Sequence, residues 1–316
     1  MSLRKRTPNL AKPRLLIVGC GDVMARALPW LARRFRIYAS ARSPESAARL
    51  RALGVVPVPA DLDAGIPLRL AGIARWVIHS APPATSGPRD GRTRRLLAAL
   101  ARPARHSIGA SLSQRHVAPR RLAYIGTSGV YGNAGGAWVD ETRPAAPDSP
   151  RAQRRADAES TLRAFARRHR MRLGLLRAPG IYAEDRLPEA RVRRGEPAIV
   201  AGEDSYSNHI HADDLAHAVC LALFRAAPLR SYNASDDAPG KMGDWFDQVA
   251  DHLGLPRVPR VSRADAQLQL SPGLLSYLNE SRRLANARIK RELRLTLRWP
   301  CVADWLADQS DKARAR

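Results

Sequence analysis

Lysine, cysteine and aromatic residues are all scarce in this 316-residue chain, and each scarcity argues against a class of protein. The three cysteines, Cys20, Cys220 and Cys301, are scattered, without metal-ligand spacing or a paired framework. We therefore expect free thiols in a reducing cytoplasm and no metal site. No apolar run approaches the ~20 residues that span a bilayer. The basic N-terminus lacks the apolar core of a signal peptide, so we expect a cytoplasmic protein with no membrane partner.

The formal net charge of +24 is the strongest compositional signal, and it raises the question of a nucleic-acid partner. Lysine supplies only five of the 53 basic residues, which indicates a general bias toward arginine at surface positions. The arginines are spread along the whole chain, and aromatic residues, at 5%, are too few for a base-stacking platform. Solvated surface charge is therefore favoured, no specific nucleic acid is expected, and a nucleic-acid-associated basic protein is the weaker alternative.

Short apolar runs alternate with helical patterns through the first 180 residues, which predicts an α/β fold with a doubly wound parallel Rossmann sheet. We expect a flexible basic tail over 1–13, the dinucleotide-binding domain over 14–180, and a smaller, mostly helical substrate lobe over 181–316. A helix over 211–225 is expected to pack back on the sheet. The basic segment 102–120 fits no element. The predicted strands are 14–18, 36–40, 55–58, 76–79, 122–125 and 172–176.

A glycine-rich turn follows the first strand and opens a helix, the context in which such a turn binds a dinucleotide. Gly19 permits a tight turn, Gly21 lets the backbone approach a pyrophosphate, and the helix N-terminus at Asp22 and Val23 offers free N–H groups. Met24 stands where a third glycine usually allows close helix–strand packing, so a slightly wider crossing is expected. The alternative is a glycine-rich turn without a ligand.

The end of the second strand carries no acid that would bind the ribose hydroxyls of NAD. Arg42, with Ser40 or Ser43, can instead bind a 2′-phosphate, so NADP is expected in preference to NAD. Arg42 could also be one of many surface arginines. Asp61, after the third strand, could meet the adenine edge or simply occupy a turn.

Taken together, these motifs resemble the short-chain dehydrogenase/reductase superfamily, in its extended or atypical branch. The chain looks like the bacterial NAD-dependent epimerase/dehydratase and nucleoside-diphosphate-sugar epimerase proteins. The resemblance is carried, in family order over nearly the whole chain, by GCGDVM (19–24), HSAPPA (79–84), YIGTSGVYGNAGGAWVDE (124–141), LLRAPGIYAEDR (175–186), NHIHADDLAHAV (208–219) and YNASDD (232–237). It implies a seven-stranded Rossmann sheet with a C-terminal substrate lobe.

The resemblance also implies roles for single residues. Thr127 matches the Ser/Thr that hydrogen-bonds the substrate oxygen, and Ser128 competes with it as a substrate-binding candidate. His211 matches a signature histidine that we interpret as a helix cap. The positions that would line the cofactor's ribose and flank its nicotinamide are Ala81, Pro82, Ala178, Pro179 and Ile181.

Two departures from the family pattern affect the expected mechanism and substrate. The family's Tyr-x-x-x-Lys pair falls on Arg151 and Arg155. An arginine cannot relay protons, so Arg151 cannot act as the Tyr, although it could bind an acidic substrate. Arg155 could still hydrogen-bond the nicotinamide ribose, and both could equally form a solvated helix face. In sugar-nucleotide epimerases an arginine tends to stand four residues before the signature histidine. That position is Ser207 here, and His209 is the candidate to replace the arginine in part and bind substrate.

If the chain is an enzyme, its proton must come from another residue. Tyr131, close to Thr127 in TSGVYG, is the first candidate, and Tyr182 follows. The leading hypothesis is an NADP-dependent oxidoreductase or epimerase-like enzyme with an unknown small-molecule substrate, which could be acidic, and a homodimer is a candidate assembly. The alternative is a non-catalytic NADP(H)-binding sensor or partner protein.

Overall fold

The computed structural model describes residues 12–64, 70–101 and 118–314, with side chains to residue 311. Most of the predicted basic tail (1–11 of 1–13) and most of the unplaced basic segment (102–117 of 102–120) lie outside these ranges. The strands are β1 (Arg14–Val18), β2 (Arg36–Ala41), β3 (Val56–Pro59), β4 (Trp76–His79), β5 (Arg121–Thr127), β6 (Trp138–Val139), β7 (Arg172–Ala178), β8 (Gly180–Tyr182), β9 (Ala198–Ile199), β10 (Tyr206–Ser207), β11 (His209–His211), β12 (Arg230–Asn233), β13 (Gly240–Lys241), β14 (Arg260–Val261) and β15 (Arg283–Leu284).

The helices follow the strands of the first half of the chain and dominate its C-terminal part. They are α1 (Asp22–Ala32), α2 (Pro44–Ala52), α3 (Gly91–Ala101), α4 (Pro150–Arg168), α5 (Glu189–Arg193), α6 (Ala212–Arg225), α7 (Met242–His252), α8 (Arg263–Gln269), α9 (Pro272–Leu278), α10 (Ala287–Leu293) and α11 (Val302–Arg314), with a 3₁₀ turn at Ser128–Tyr131. Among the described helices, none is long and apolar enough to cross a membrane.

Seven strands form one parallel sheet in the order β12-β7-β5-β4-β1-β2-β3. The chain runs outward from β1 to β3 and then returns to β4 on the other side of β1. The strand order therefore reverses between β1 and β4, and open α/β sheets bind ligands beyond the carboxyl ends of the strands at this point. The predicted fold class is confirmed.

Helices cover both faces of the sheet, which explains why its strands are nearly continuous apolar runs. One apolar core lies between the sheet and α1 and α6, and includes Met24, Leu31 and Leu215. The other lies under α3 and α4 and includes Leu96 and Leu162. Met24 is almost completely buried. The helix after His211 thus returns to the sheet, although most residues around it in sequence belong to the C-terminal part.

The C-terminal part has its own small cores. Tyr182, Trp245 and Trp305 belong to one of them, and Ile199 and Leu278 to another. Short two-stranded pairs connect this part to the Rossmann domain: β11 pairs with β8, and β15 pairs with β6. These pairings bring residues 277–284 to the carboxyl edge of the large sheet, where they complete the cavity described next.

Candidate functional site

A cavity of about 1090 Å³ opens at the carboxyl edge of the sheet, over the β1–β4 reversal point. Most residues that the sequence proposed for the site line this cavity. They are Gly19, Gly21, Asp22, Val23, Met24, Ser40, Arg42, Asp61, Ala81, Pro82, Thr127, Ser128, Arg151, Arg155, Ala178, Pro179, Ile181, Tyr182 and His209. Ser43 and Tyr131 are not part of the lining.

The glycine-rich turn has the geometry of a phosphate cradle. Gly19 has φ +90°, and a Cβ there would lie 2.5 Å from the backbone nitrogen of Ala81, so only glycine fits. A Cβ on Gly21 would meet nothing within 4 Å, which shows open space above the turn. Gly21 is the N-cap of α1, and no side chain caps that helix end. The first N–H groups of α1 are therefore free to bind an anion, and a dinucleotide pyrophosphate fits here.

Ser40 and Arg49 hold this turn in place. The backbone N–H of Gly19 donates to Ser40 Oγ at 3.1 Å, and Arg49 Nη2 donates to the carbonyl of Cys20 at 2.8 Å. Asp22 pairs with Arg26 and with Arg186, each at 3.2 Å. These cations balance its charge beside the turn. Sequence reasoning missed Arg49 because it lies on α2, 30 residues after Gly19.

At the end of β2, Arg42 is exposed and lines the cavity. Within the described ranges, its guanidinium has no carboxylate oxygen within 4.0 Å, so it is available to a phosphate. The proposal for Ser43 needs correction. Ser43 caps α2: its Oγ accepts from the backbone N–H of Ser46 at 3.3 Å, while its own N–H donates to Ser46 Oγ. That hydroxyl is occupied, and Ser46 lines the cavity in its place.

Another part of the cavity wall contains Asp61, Ala81 and Pro82. Asp61 Oδ1 accepts from the backbone N–H of Asp63 at 2.9 Å, which is a turn interaction that leaves Oδ2 for other partners. Asp63 forms an ion pair with Arg92, and Arg92 also donates to the carbonyl of Pro82 at 2.9 Å. These contacts fix the loop after β4, in which the backbone N–H of Ala81 donates to the carbonyl of Val18.

Arg155 reaches from α4 to the end of β5. Its Nη1 donates to the carbonyl of Ile125 and to the hydroxyl of Tyr124, each at 3.0 Å. Helix α4 begins at Pro150, because Ser149 Oγ accepts from the backbone N–H of Ala152 and Pro150 occupies the first turn. Arg155 is thus a positioned cation at the cavity wall, and the neutral oxygens it contacts leave its charge uncompensated.

Across the cavity, Ala178, Pro179 and Ile181 form the wall proposed for the nicotinamide. His209 packs against this wall, since a Cβ on Gly180 would lie 3.0 Å from His209 Cδ2. Its Nε2 lies 3.3 Å from Ser207 Oγ. Burial lowers the pKa of His209 to about 4, so the ring is neutral near pH 7. His211 caps α6 through Nδ1, which accepts from the backbone N–H of Asp213 at 3.2 Å, as the sequence interpretation predicted.

Residues 277–284 supply a part of the cavity that sequence reasoning missed, namely Tyr277, Glu280 and Arg282. Arg282 Nη2 donates to Glu280 Oε2 at 2.9 Å, and Ser149 Oγ donates to Glu280 Oε1 at 3.3 Å. Thr127 Oγ1 and Glu280 Oε2 lie 3.5 and 3.6 Å from the position that a Gly129 Cβ would occupy. Both side chains therefore border the space beside Gly129. Tyr277, Glu280 and Arg282 lie in the segment YLNESRRLAN (277–286), which contains no recognisable motif that would mark them as part of a site.

The geometry argues against Tyr131 as a proton donor. The 3₁₀ turn directs its side chain into the protein, where its hydroxyl donates to Asn233 Oδ1 at 2.7 Å. Burial raises the pKa of Tyr131 to about 12. Tyr182 lines the cavity, but its hydroxyl is buried, and burial with nearby Asp236 raises its pKa. Neither phenol is placed to give up a proton to a bound substrate near pH 7.

Within the described residues, no group of three or more His, Cys, Asp or Glu side chains could hold a metal ion. The three cysteines are free thiols, and two of them, Cys20 and Cys220, are buried. The cavity is lined by the glycine-rich turn, by Thr127 and Glu280, and by several guanidinium groups. Such a set suits a nucleotide cofactor and a small polar substrate.

Comparisons with known proteins agree with this geometry. Residues 85–235 match the model of the NAD dependent epimerase/dehydratase family. No curated protein matches the chain. Among solved structures, a conserved protein of unknown function from Silicibacter pomeroyi DSS is 28% identical, with a TM-score of 0.76, and the match covers 96% of this chain and 99% of that one.

Two enzymes of known activity share the fold at lower identity. The UDP-glucuronic acid 4-epimerase from Bacillus cereus, solved in complex with NAD, is 13% identical, with a TM-score of 0.69 and coverage of 96% and 99% of the two chains. A dTDP-glucose 4,6-dehydratase from Streptomyces venezuelae, with NAD and TYD bound, is 19% identical, with a TM-score of 0.70 and coverage of 96% and 97%. The seven-stranded parallel sheet and its flanking helices are the Rossmann-like α/β fold of these structures. The family model thus covers 151 of the 316 residues of this chain, and the solved structures share its fold over nearly its whole length.

Proposed function

We propose that this protein is an NADP-dependent oxidoreductase or epimerase/dehydratase-like enzyme that acts on a small molecule at a hydroxyl or carbonyl group. The observation that carries the proposal is the single cavity that joins the phosphate cradle at Gly19–Asp22, the cation Arg155 and the hydroxyl of Thr127. The NAD-bound relatives of the same fold support a nicotinamide nucleotide in this position. When bound, the nicotinamide would accept or donate a hydride.

The preference for NADP over NAD rests on Arg42. This guanidinium is exposed to the cavity beside Ser40 and has no ion-pair partner within the described ranges. Arg42→Ala should lower affinity for NADPH by about tenfold or more and change affinity for NADH by less than about twofold, because only NADPH carries the 2′-phosphate. Arg51→Ala, an exposed arginine on α2 outside the cavity lining, is the matched control.

Glu280 is the group we assign to proton transfer. Thr127 Oγ1 accepts from the backbone N–H of Gly129 at 3.2 Å, so its own hydrogen is free to bind the substrate oxygen. Glu280 Oε2 approaches the same place and is held by Arg282. During oxidation of an alcohol, the carboxylate would take the hydroxyl proton as the substrate carbonyl forms. In the reverse direction, the carboxylic acid would return that proton to the oxygen.

A non-catalytic NADP(H)-binding protein is the second candidate, and the arginine at position 151 favours it because that side chain cannot exchange a proton. The two candidate functions are distinguished by hydride transfer, because only the enzyme would transfer a hydride between the cofactor and a substrate. The protein would be incubated with deuterated [4-²H]NADPH and a small-molecule extract, and metabolites would be analysed by mass spectrometry. Deuterium in a metabolite supports the enzyme. Tight NADPH binding without any transfer supports the sensor.

A further inference from the structure

Arg151 is a half-buried cation that has no hydrogen-bonding or ion-pairing partner among the described residues. It lines the cavity from the first turn of α4, and its guanidinium carbon lies 3.8 Å from the ring centre of Tyr277. In the described part of the chain, its nitrogens make no hydrogen bond and have no carboxylate oxygen within 4.0 Å. Stacking on Tyr277 holds the guanidinium plane while the edge that carries the N–H groups stays free.

Three further arginines line the cavity near Arg151, and we call these four residues the arginine cluster: Arg151, Arg154, Arg155 and Arg282. Arg154 Nη1 donates to the carbonyl of Gly87 at 3.0 Å, and Arg155 donates to the carbonyl of Ile125. These partners are neutral and leave the charges uncompensated. Glu280 is the one carboxylate that contacts the cluster within the described residues, and it is paired with Arg282.

Arg282 is a second arginine of the cluster whose guanidinium is held in place at the cavity. It is nearly fully buried, and it donates from Nη1 to the carbonyl of Gly132 and from Nη2 to Glu280, each at 2.9 Å. Its Nε is also buried, yet it has no hydrogen-bond partner within the described chain. A buried donor left unpaired destabilises the fold unless a ligand or water satisfies it.

The cluster is electrostatically unfavourable without a ligand. Burial lowers the pKa of Arg151, and the charges of Arg282 and Arg155 lower it further, while Glu280 opposes them. Four guanidinium groups with one carboxylate leave an excess of positive charge in a partly buried space. An anion bound between Arg151 and Arg282 would offset this repulsion.

We propose that the arginine cluster binds an anionic group of the substrate, a carboxylate or a phosphate, with Arg151 as its principal contact. The inference rests on the proposed function, because it names the substrate class of the same cavity. The cofactor's own phosphates have other partners, namely the α1 N-terminus and Arg42. With Thr127 and Glu280 beside the cluster, the substrate is a hydroxy or oxo compound that carries an acid group.

Calorimetric titration of the full-length protein tests this proposal with two probes, inorganic phosphate and succinate, at constant ionic strength. Each titration is performed with and without saturating NADP⁺, so that the phosphate cradle is filled in one arm. We expect saturable binding of at least one probe, and the stronger probe identifies phosphate or carboxylate as the group. Arg151→Gln should weaken that binding by about tenfold or more, because a charge-assisted bidentate contact is lost.

Arg168→Gln is the matched control, since Arg168 is an exposed arginine at the far end of the same helix. It should change anion affinity by less than about twofold. This control measures how much the loss of one positive charge outside the cavity affects anion binding. Thermal unfolding of each variant confirms folding. The proposal is overturned if neither probe binds the wild-type protein, or if Arg151→Gln binds as tightly as the wild type. If the wild-type protein does not bind NADP⁺, that result counts against the proposed function. The titrations without cofactor, compared between the wild type and Arg151→Gln, would still test the anion site.

Discussion

Thr127 Oγ1 and Glu280 Oε2 lie within 3.6 Å of one point beside Gly129, although the two residues are separated by more than 150 positions in the chain. In the family pattern, the first turn of α4 carries the tyrosine of the Tyr-x-x-x-Lys pair. In this chain that position holds Arg151. The carboxylate arrives from the C-terminal part, next to the same helix turn, through its contact with Ser149. We therefore propose that Thr127 keeps its place at the reacting position, while the proton-transfer group is supplied by the C-terminal part of the chain.

Replacement of the Glu280 carboxylate should slow the chemical step without weakening cofactor binding. Glu280→Gln keeps the shape of the side chain but cannot accept a proton, so we expect turnover to fall by about 100-fold or more, with NADPH affinity nearly unchanged. Steady-state rates and a cofactor titration measure the two effects. Glu189→Gln, at an exposed position on α5, is the control. Wild-type turnover in Glu280→Gln would rule out the assignment, and activity that instead disappears in His209→Gln would point to His209 as the proton-transfer group.

Arg155 should contribute to cofactor binding. Its guanidinium is fixed by Ile125 and Tyr124 at the wall of the cavity, where the family Lys would meet the nicotinamide ribose. We expect Arg155→Ala to weaken NADPH binding by about tenfold, because a charge-assisted contact is removed. Arg151→Ala should leave this affinity nearly unchanged, because that residue is assigned to the substrate. Fluorescence titration measures both, and equal losses in the two variants would contradict the division of roles.

A buried ion pair connects the same helix to the sheet. Arg177 Nη2 donates to Glu159 Oε2 at 2.7 Å, Arg177 Nε donates to Oε1 at 3.0 Å, and both side chains are almost fully buried. Glu159→Ala should lower the free energy of unfolding by about 3–5 kcal/mol, since it leaves the guanidinium buried and unpaired. Urea denaturation measures the change. A loss below about 1 kcal/mol would show that solvent or another group compensates Arg177.

The buried histidines predict acid sensitivity. Burial lowers the pKa of both His209 and His79 to about 4 in the folded state, against about 6.5 in an unfolded chain. Between these values the unfolded chain binds more protons, so stability should fall as the pH decreases from about 6.5 to 4. Each histidine contributes on the order of 3 kcal/mol over that window. In His209→Asn the pH dependence measured by urea denaturation should become shallower, whereas His217→Asn, at an exposed position on α6, should keep the wild-type slope.

Local patterns were sufficient to predict most of the sheet. The strands that form β1, β2, β4, β5 and β7 are apolar runs flanked by turn residues, and each prediction overlaps the observed strand. The short edge strand β12 was not predicted, because the four residues of Arg230–Asn233 include only one apolar side chain, Tyr232. The phosphate cradle could be predicted because the glycines, the strand before them and the helix after them are contiguous in sequence.

The rest of the site depends on distant contacts. Tyr277, Glu280 and Arg282 reach the cavity through the pairing of β15 with β6, which no periodicity in the sequence encodes. Tyr131 is the proton-donor candidate nearest to Thr127 in sequence, but the 3₁₀ turn at Ser128–Tyr131 directs its ring toward Asn233. Ser43 is a phosphate-binding candidate because it follows Arg42 in sequence, but its hydroxyl caps helix α2. In both cases a local backbone requirement decided where the side chain points.

The central claim is that the cavity binds a nicotinamide nucleotide and prefers the phosphorylated form. Calorimetric titration of the wild-type protein with NADPH and, separately, with NADH tests it most directly. We predict one site per chain and an affinity for NADPH at least about tenfold higher than for NADH, because Arg42 would contact the 2′-phosphate that only NADPH carries. No saturable binding of either nucleotide, equal affinities, or a preference for NADH would contradict the account.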